Sequence, residues 1–312
     1  MGSYLRLPVG YEVRFSDDGS LLLCLGIRIA LFDISKRERL WVGRQLKHPS
    51  HGGFSPDGLT VAVKNTSGRI VILETRSGEL LQDFKNQKEG EGCEVYFSPD
   101  GKEIVDGAWG DLLTVRNAKN GAIKSREEFP GDMTRRISHD KKRRVWLIEH
   151  CPRWSPEKPR NVPTIGYVRL RRWPITAKDE HVLDLPVDVL QATLHPDGKT
   201  FCFTETAPIA HLYVARVSDG SILAKSAPLV QDRIRDMAWF PSGEIIASVQ
   251  KGKFVFYRSS DLAVLGEVPA KYPSSVAFRP GTQDVALGTW NESAIVLISD
   301  VLTGRVSLFK EK

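Results

Sequence analysis

The five residues Phe54-Ser55-Pro56-Asp57-Gly58 return unchanged at Phe97-Ser98-Pro99-Asp100-Gly101. Weaker copies stand at Phe15 to Gly19, His195 to Gly198, Phe240 to Gly243 and Phe278 to Gly281. The chemistry of this stretch is local. Proline pre-sets φ at the first corner of a turn, the aspartate side chain caps it, and glycine takes the positive φ that ends it. Each copy lies between two short apolar-alternating runs, so each predicts a β-hairpin. Six such hairpins at a recurring interval make the unit of this chain a repeat.

A second turn follows in phase. Ser77-Gly78, Asn120-Gly121, Asp219-Gly220 and Thr303-Gly304 occupy it, and 20 residues separate Gly58 from Gly78 and Gly101 from Gly121. Two turns in fixed phase predict a four-stranded antiparallel sheet. The repeats run over about 11–45, 52–84, 94–129, 134–185, 189–225, 235–268 and 275–309. Their anchor positions are Phe15, Phe54, Phe97, Ile137, Leu194, Phe240 and Phe278, separated by 39, 43, 40, 57, 46 and 38 residues. The fourth repeat is the longest. Its first turn has lost the motif, leaving Ser138-His139-Asp140-Lys141.

A repeat of ~40 residues with four strands is the signature of a propeller blade. One such sheet cannot bury both faces, whereas sheets packed around an axis can. Seven repeats therefore predict an all-β, seven-bladed β-propeller of four-stranded antiparallel blades, a single domain over residues 1–312. Arg305 to Phe309 is expected as the outer strand of the last blade, with Tyr4 to Leu7 the alternative.

The Phe-Ser-Pro-Asp-Gly unit, followed by an apolar strand and a Thr/Ser-Gly turn, resembles the WD-repeat propellers, especially their bacterial-type members. The resemblance covers nearly the whole chain and departs in detail. The Trp-Asp pair of that family appears only as Phe32-Asp33, with Leu73-Glu74 and Tyr257-Arg258 in the same place elsewhere. No Gly-His pair opens a repeat. The family's buried polar network is therefore not expected, and cohesion between blades should rest mainly on apolar packing. The resemblance implies a protein-interaction scaffold.

With 41% hydrophobic and 26% charged residues, the composition is that of an ordinary globular chain. Residues 1–9 carry no apolar signal core, and no apolar run approaches the ~18 residues a membrane span needs. Cys24, Cys93, Cys151 and Cys202 show no Cys-x-x-Cys spacing and read as reduced thiols of a cytoplasmic protein. No metal, cofactor or catalytic role is expected. His48, His51 and His150 lack zinc spacing, and there is no phosphate loop or nucleophile elbow.

Antiparallel order puts the Pro-Asp-Gly turns on one face, here the bottom, where Asp57, Asp100 and Asp197 are turn caps rather than an acid constellation. The opposite, top face carries the candidate binding residues. In the fourth repeat a loop over about 150–166 holds Pro152, Pro156, Pro159 and Pro163 with Arg153, Trp154, Lys158 and Arg160. Long loops inside compact repeats tend to be functional. Trp109 and Trp290 stand on the equivalent loops of the third and seventh repeats. Indole is typical of interface anchors, although packing over the channel explains it equally.

Twelve basic and three acidic residues lie between Thr134 and Trp173, against a formal charge of +6 for the whole chain. Arg169 and Arg171 alternate with Val168 and Leu170, so both should project from one face of a strand. The positive field favours an acidic partner, either an acidic protein patch or a nucleic-acid backbone. Three functions follow: a non-catalytic protein scaffold, RNA binding through the basic fourth blade, and a propeller hydrolase or lactonase-like enzyme. The last needs a polar axial pocket, for which the top loops offer only Lys64, Glu205, His211 and Lys251.

Overall fold

In the computed structural model, seven antiparallel four-stranded sheets form a closed ring. The structure describes residues 5–7, 10–84, 94–108, 112–130, 132–152, 167–175, 181–183, 185–187, 189–205, 209–229, 234–290 and 293–306. Blade 1 comprises β2 (Glu12–Phe15), β3 (Leu21–Leu25), β4 (Ile29–Asp33) and β5 (Glu38–Gly43). Blade 2 is β6 (Pro49–Phe54), β7 (Thr60–Asn65), β8 (Ile70–Glu74) and β9 (Leu80–Phe84). Blade 3 is β10 (Val95–Phe97), β11 (Glu103–Ala108), β12 (Leu112–Asn117) and β13 (Ile123–Glu128). Blade 4 is β14 (Asp132–His139), β15 (Val145–Pro152), β16 (Tyr167–Arg172) and β17 (His181–Val182). Blade 5 is β18 (Val189–Leu194), β19 (Thr200–Glu205), β20 (Leu212–Arg216) and β21 (Ile222–Lys225). Blade 6 is β22 (Asp236–Trp239), β23 (Ile245–Gln250), β24 (Lys253–Arg258) and β25 (Val264–Pro269). Blade 7 is β26 (Pro273–Phe278), β27 (Asp284–Thr289) and β28 (Ser293–Leu297), completed by the N-terminal β1 (Leu5–Leu7).

The middle strands explain why a ring is needed. Every residue of β3 and β4 is buried, and so is every residue of β23. A strand covered on both faces reads as a continuous apolar run instead of an alternating one. The outer strands, such as β13, are mostly exposed. Among the described residues the core is seven apolar clusters, one between each pair of neighbouring blades. Each buried Leu, Val, Ile or Phe in them contributes roughly 1.5–3 kcal/mol.

The motif turns behave as their chemistry dictates. In blade 2, Ser55 Oγ donates to Asp57 Oδ1 and accepts from Thr60 N, while Asp57 Oδ1 accepts from Leu59 N and Gly58 holds φ +70°. Blade 3 repeats the pattern with Ser98 and Asp100.

Four expectations need correction. First, the ring is closed by β1, with Leu5, Arg6 and Leu7 opposite Ile295, Ala294 and Ser293. Arg305 and Val306 are not strand, and the remainder of the expected C-terminal strand lies outside the described residues. The chain after β28 forms a short helix, α1 (Ile298–Leu302), which buries Ile298 and Val301. Its apolar pair fits the groove between blades 6 and 7, so Thr303-Gly304 ends a helix instead of a hairpin.

Second, blade 4 keeps its turn with other residues. Asp140 takes the serine place, accepting from Arg144 N and Val145 N, and Arg143 takes the glycine place at φ +54°. His139, not Ile137, is therefore the anchor. Third, the anchor of blade 6 is Trp239, because Phe240 N bonds Ile245 O as Ser55 N bonds Thr60 O.

Fourth, cohesion between blades is also polar. Lys64, only 1% exposed, reaches from blade 2 to Asp106 Oδ1 at 2.5 Å and Gly107 O at 2.6 Å on blade 3. Trp41 Nε1 donates to Thr75 O, and Trp239 Nε1 to Thr193 O. Gly78 lets the Trp41 ring approach: a Cβ there would lie 2.6 Å from it.

Candidate functional site

The innermost strands β2, β6, β10, β14, β18, β22 and β26 line the axis. Side chains alternate along a strand, so positions one and three before each anchor share the axial side. The position between them is buried in the blade stack, as with Val13, Val95, Ile137 and Val276. With the anchors corrected, the residue three before each is Glu12, His51, Glu94, Arg136, Gln191, Asp236 and Ser275. Every blade contributes one polar side chain to this ring.

These side chains are joined. Arg14 Nε donates to Glu12 Oε1 at 2.8 Å and Arg14 Nη2 to Glu94 Oε1 at 3.4 Å. Arg136 Nη1 lies 3.3 Å from Glu94 Oε1 and 2.7 Å from Asp236 Oδ1. His51 Nδ1 lies 2.8 Å from Glu12 Oε2. The remaining carboxylate oxygens accept backbone amides of the next blade: Glu94 Oε2 from Ile137 N at 2.6 Å, and Asp236 Oδ2 from Val276 N at 2.9 Å. Ser275 Oγ accepts from Val13 N at 3.1 Å, which carries the same device across the closure of the ring.

Burial would raise the Glu12 carboxyl, but Arg14 and His51 outweigh it and hold the group down at about 2. Burial is also the largest influence on Arg136 and would lower it; Asp236 and Glu94 instead raise its guanidinium. Glu12, Glu94 and Asp236 are each paired with arginine, a structural use of charge.

This ring forms the base of a cavity of about 210 Å³ on the top face, whose rim is Tyr11, Arg235, Ser274 and Trp290. The rim is placed by the ring below it. Arg136 Nη2 and Gln191 Nε2 both donate to the backbone carbonyl of Arg235, at 2.6 and 2.8 Å. The Arg235 side chain is exposed and makes no ion pair among the described residues. Trp290 is 56% exposed and meets the Tyr11 ring edge-on at a 4.8 Å centroid distance. Burial, then Glu12, raises the Tyr11 hydroxyl, so it remains a proton donor.

Of the expected binding residues, Trp290 stands at this rim. Arg169 and Arg171 share one face of β16 as their alternation requires, but that face meets blade 3 and not the axis. Arg171, 1% exposed, donates to Glu127 Oε1 at 2.6 Å, and Arg169 lies over the Phe129 ring at 4.8 Å. Both are used between blades, and Arg171 is too buried to meet a partner. Trp109, Arg153, Trp154, Lys158 and Arg160 lie outside the described residues. Lys64 is locked in its buried pair, and His211 contacts Glu205 off the axis. Among the described residues, no three His, Cys, Asp or Glu side chains converge to hold a metal ion.

The axial ring went unseen in the sequence for a definite reason. Anchors set at Ile137 and Phe240 put Thr134 and Met237 three places earlier, which breaks the polar series at Met237 and puts a threonine in the place of Arg136. Read from His139 and Trp239, the series is complete.

No family model matches the chain. Among solved structures it is similar to Kuenenia stuttgartiensis hydrazine synthase, at 14% identity and a TM-score of 0.75, over 93% of this chain and 96% of that one. It is also similar to the Cps50 (Swd1) β-propeller domain of Myceliophteria thermophila, at 11% identity and a TM-score of 0.75, over 95% and 99% of the two chains. At these identities the likeness is one of fold.

Proposed function

We propose that the chain is a non-catalytic protein-interaction scaffold, WD-repeat-like and cytoplasmic, that uses the top face of the propeller to hold an acidic segment of a partner. One observation carries this reading. Every carboxylate oxygen of the axial ring already has an arginine, histidine or backbone amide partner, while Arg235, Tyr11 and Trp290 face outward at the rim. A site whose acceptors are satisfied and whose donors point to solvent suits a ligand that brings acceptors of its own. Arginine and the aromatic pair are also the residue types that dominate interface energetics. The likeness to the Swd1 propeller domain agrees with a scaffold without requiring it. The buried free thiols Cys24 and Cys202 fit a reducing compartment.

Affinity capture from the native source tests the reading. The wild-type chain should retain a partner in stoichiometric amount, and the Trp290→Ala/Arg235→Ala chain should lose it with an unchanged melting temperature. Equal retention by both chains would remove the top rim from recognition. A second reading, an axial hydrolase, is favoured by the His51–Glu12 pair alone, in which a carboxylate oxygen stands 2.8 Å from an imidazole nitrogen. Turnover of ester or lactone substrates that disappears in His51→Gln would establish it against the scaffold.

A further inference from the structure

The bottom face carries a different chemistry at blade 4. In four of the other six blades the turns on this rim present aspartates: Asp17 and Asp18 in blade 1, Asp57 in blade 2, Asp100 in blade 3 and Asp197 in blade 5. Blade 4 has moved its aspartate, Asp140, inward, where it caps the turn, and exposes Lys141, Lys142 and Arg144 in its place. Arg172 comes alongside because it pairs with Val145 across β15 and β16. Trp173 N donates to Arg144 O at 2.8 Å, which fixes the Trp173 backbone beside Arg144.

Together Arg144, Arg172, Trp173, Val145 and Pro99 line a cavity of about 300 Å³. Neither guanidinium meets a carboxylate among the described residues. The neighbouring carboxylate, Asp100, is held in its own turn by Ser98 Oγ and Lys102 N. Trp173 is half-buried, tilted against Trp146 at 6.0 Å, so it offers a fixed ring to the cavity instead of a mobile one.

We infer that this pocket is a binding site for single-stranded nucleic acid, with a base set against Trp173 and successive phosphates on Arg144, Arg172, Lys141 and Lys142. Single-strand sites combine an aromatic platform with cations that track the backbone. Here four exposed cations that make no ion pair among the described residues, spread over two adjacent turns, suit spaced charges along a strand. A single phosphorylated side chain would call for one converging, buried fork. The inference is independent of the axial site, because the two lie on opposite faces and share no residue.

The test is fluorescence anisotropy of labelled ten-nucleotide oligo(U) and oligo(dT) with the full chain at 50 and 200 mM salt. Four phosphate contacts give a log–log salt slope of about −2.8, which is a fall in affinity of about 50-fold over that range. Arg144→Glu/Arg172→Glu replaces two exposed side chains and should leave melting unchanged. It should weaken binding at least ten-fold and make the slope shallower by about 1.4. Binding that ignores salt, binding unchanged in the double variant, or no binding at all would overturn the proposal. So would capture of a phosphotyrosine peptide or anionic phosphatidylserine vesicles in preference to the oligonucleotides.

Discussion

Arg143 of blade 4 donates to Asp17 Oδ2 of blade 1 at 2.9 Å, and the two residues are 126 apart in sequence. The same Nη2 reaches Phe54 O of blade 2 at 3.1 Å. Blades 1 and 4 stand across the ring from each other, so one side chain spans the bottom of the axial channel. This contact accounts for an arginine at φ +54°, where blades 1, 2, 3, 5 and 6 place glycine. The left-handed conformation costs roughly 1–2 kcal/mol for a residue with a Cβ. A charged hydrogen bond in a buried setting returns ~1.5–3 kcal/mol.

Arg143→Gly therefore relieves the backbone and removes the span. The expected net effect is a destabilisation of about 1 kcal/mol, read as a lower urea midpoint. Asp17→Asn, at the exposed end of the same pair, should cost under ~1 kcal/mol. An Arg143→Gly chain more stable than wild type would show that the span contributes less than the strain.

Glu12 makes stability depend on acid. Its carboxyl is held at about 2, against an ordinary 4.5, by Arg14 and His51 acting against burial. A depressed carboxyl contributes stability that is complete above pH 4.5 and is lost as pH falls towards 2. The full contribution is on the order of 3 kcal/mol. Glu12→Gln should thus be less stable than wild type at pH 6, and the gap should narrow by about 2 kcal/mol at pH 3. Urea unfolding at the two pH values reads this directly. A gap that is constant with pH would mean the carboxyl is not held down.

Closure by β1 has a mechanical consequence. Leu7 is buried, and the three residue pairs with β28 leave blade 7 no other fourth strand among the described residues. Removing residues 1–7 should lower the melting temperature by several degrees, at roughly 2–4 °C per kcal/mol for a domain of this order of size. It should also expose the edge of β28 to pairing with other chains. Size-exclusion chromatography should then show concentration-dependent association. A monomeric, equally stable truncation would remove β1 from the closure.

The repeat was legible because its chemistry is local. A Ser-x-Asp-Gly turn needs only its own residues, as the Ser55–Asp57 bonds demonstrate. The blade count, the strand order and most strand limits follow from it. What the sequence hid depends on exchange and distance. Asp140 and Arg143 perform the serine and glycine parts of a turn under other names, so the register of blade 4 slipped by two places. That slip concealed the axial ring, whose signal is one polar residue per repeat. The closing strand was hidden because two segments, one at each end of the chain, have similar strand character. Only the apolar pair Ile298 and Val301, which fits a helix to the groove beside blade 6, decides between them. Arg171 looked available because alternation gives a side chain's direction and says nothing of what stands opposite, here Glu127.

Under the proposed function, recognition takes place at the rim built by Tyr11, Arg235 and Trp290. The partner recovered by capture, once purified, should be titrated calorimetrically against three chains: wild type, Trp290→Ala/Arg235→Glu, and Arg144→Glu/Arg172→Glu. The rim variant should bind at least 100-fold more weakly, a loss of about 2.7 kcal/mol, while the bottom-face variant stays within about twofold of wild type. Equal affinity for wild type and the rim variant, or a loss confined to the bottom-face variant, would contradict it.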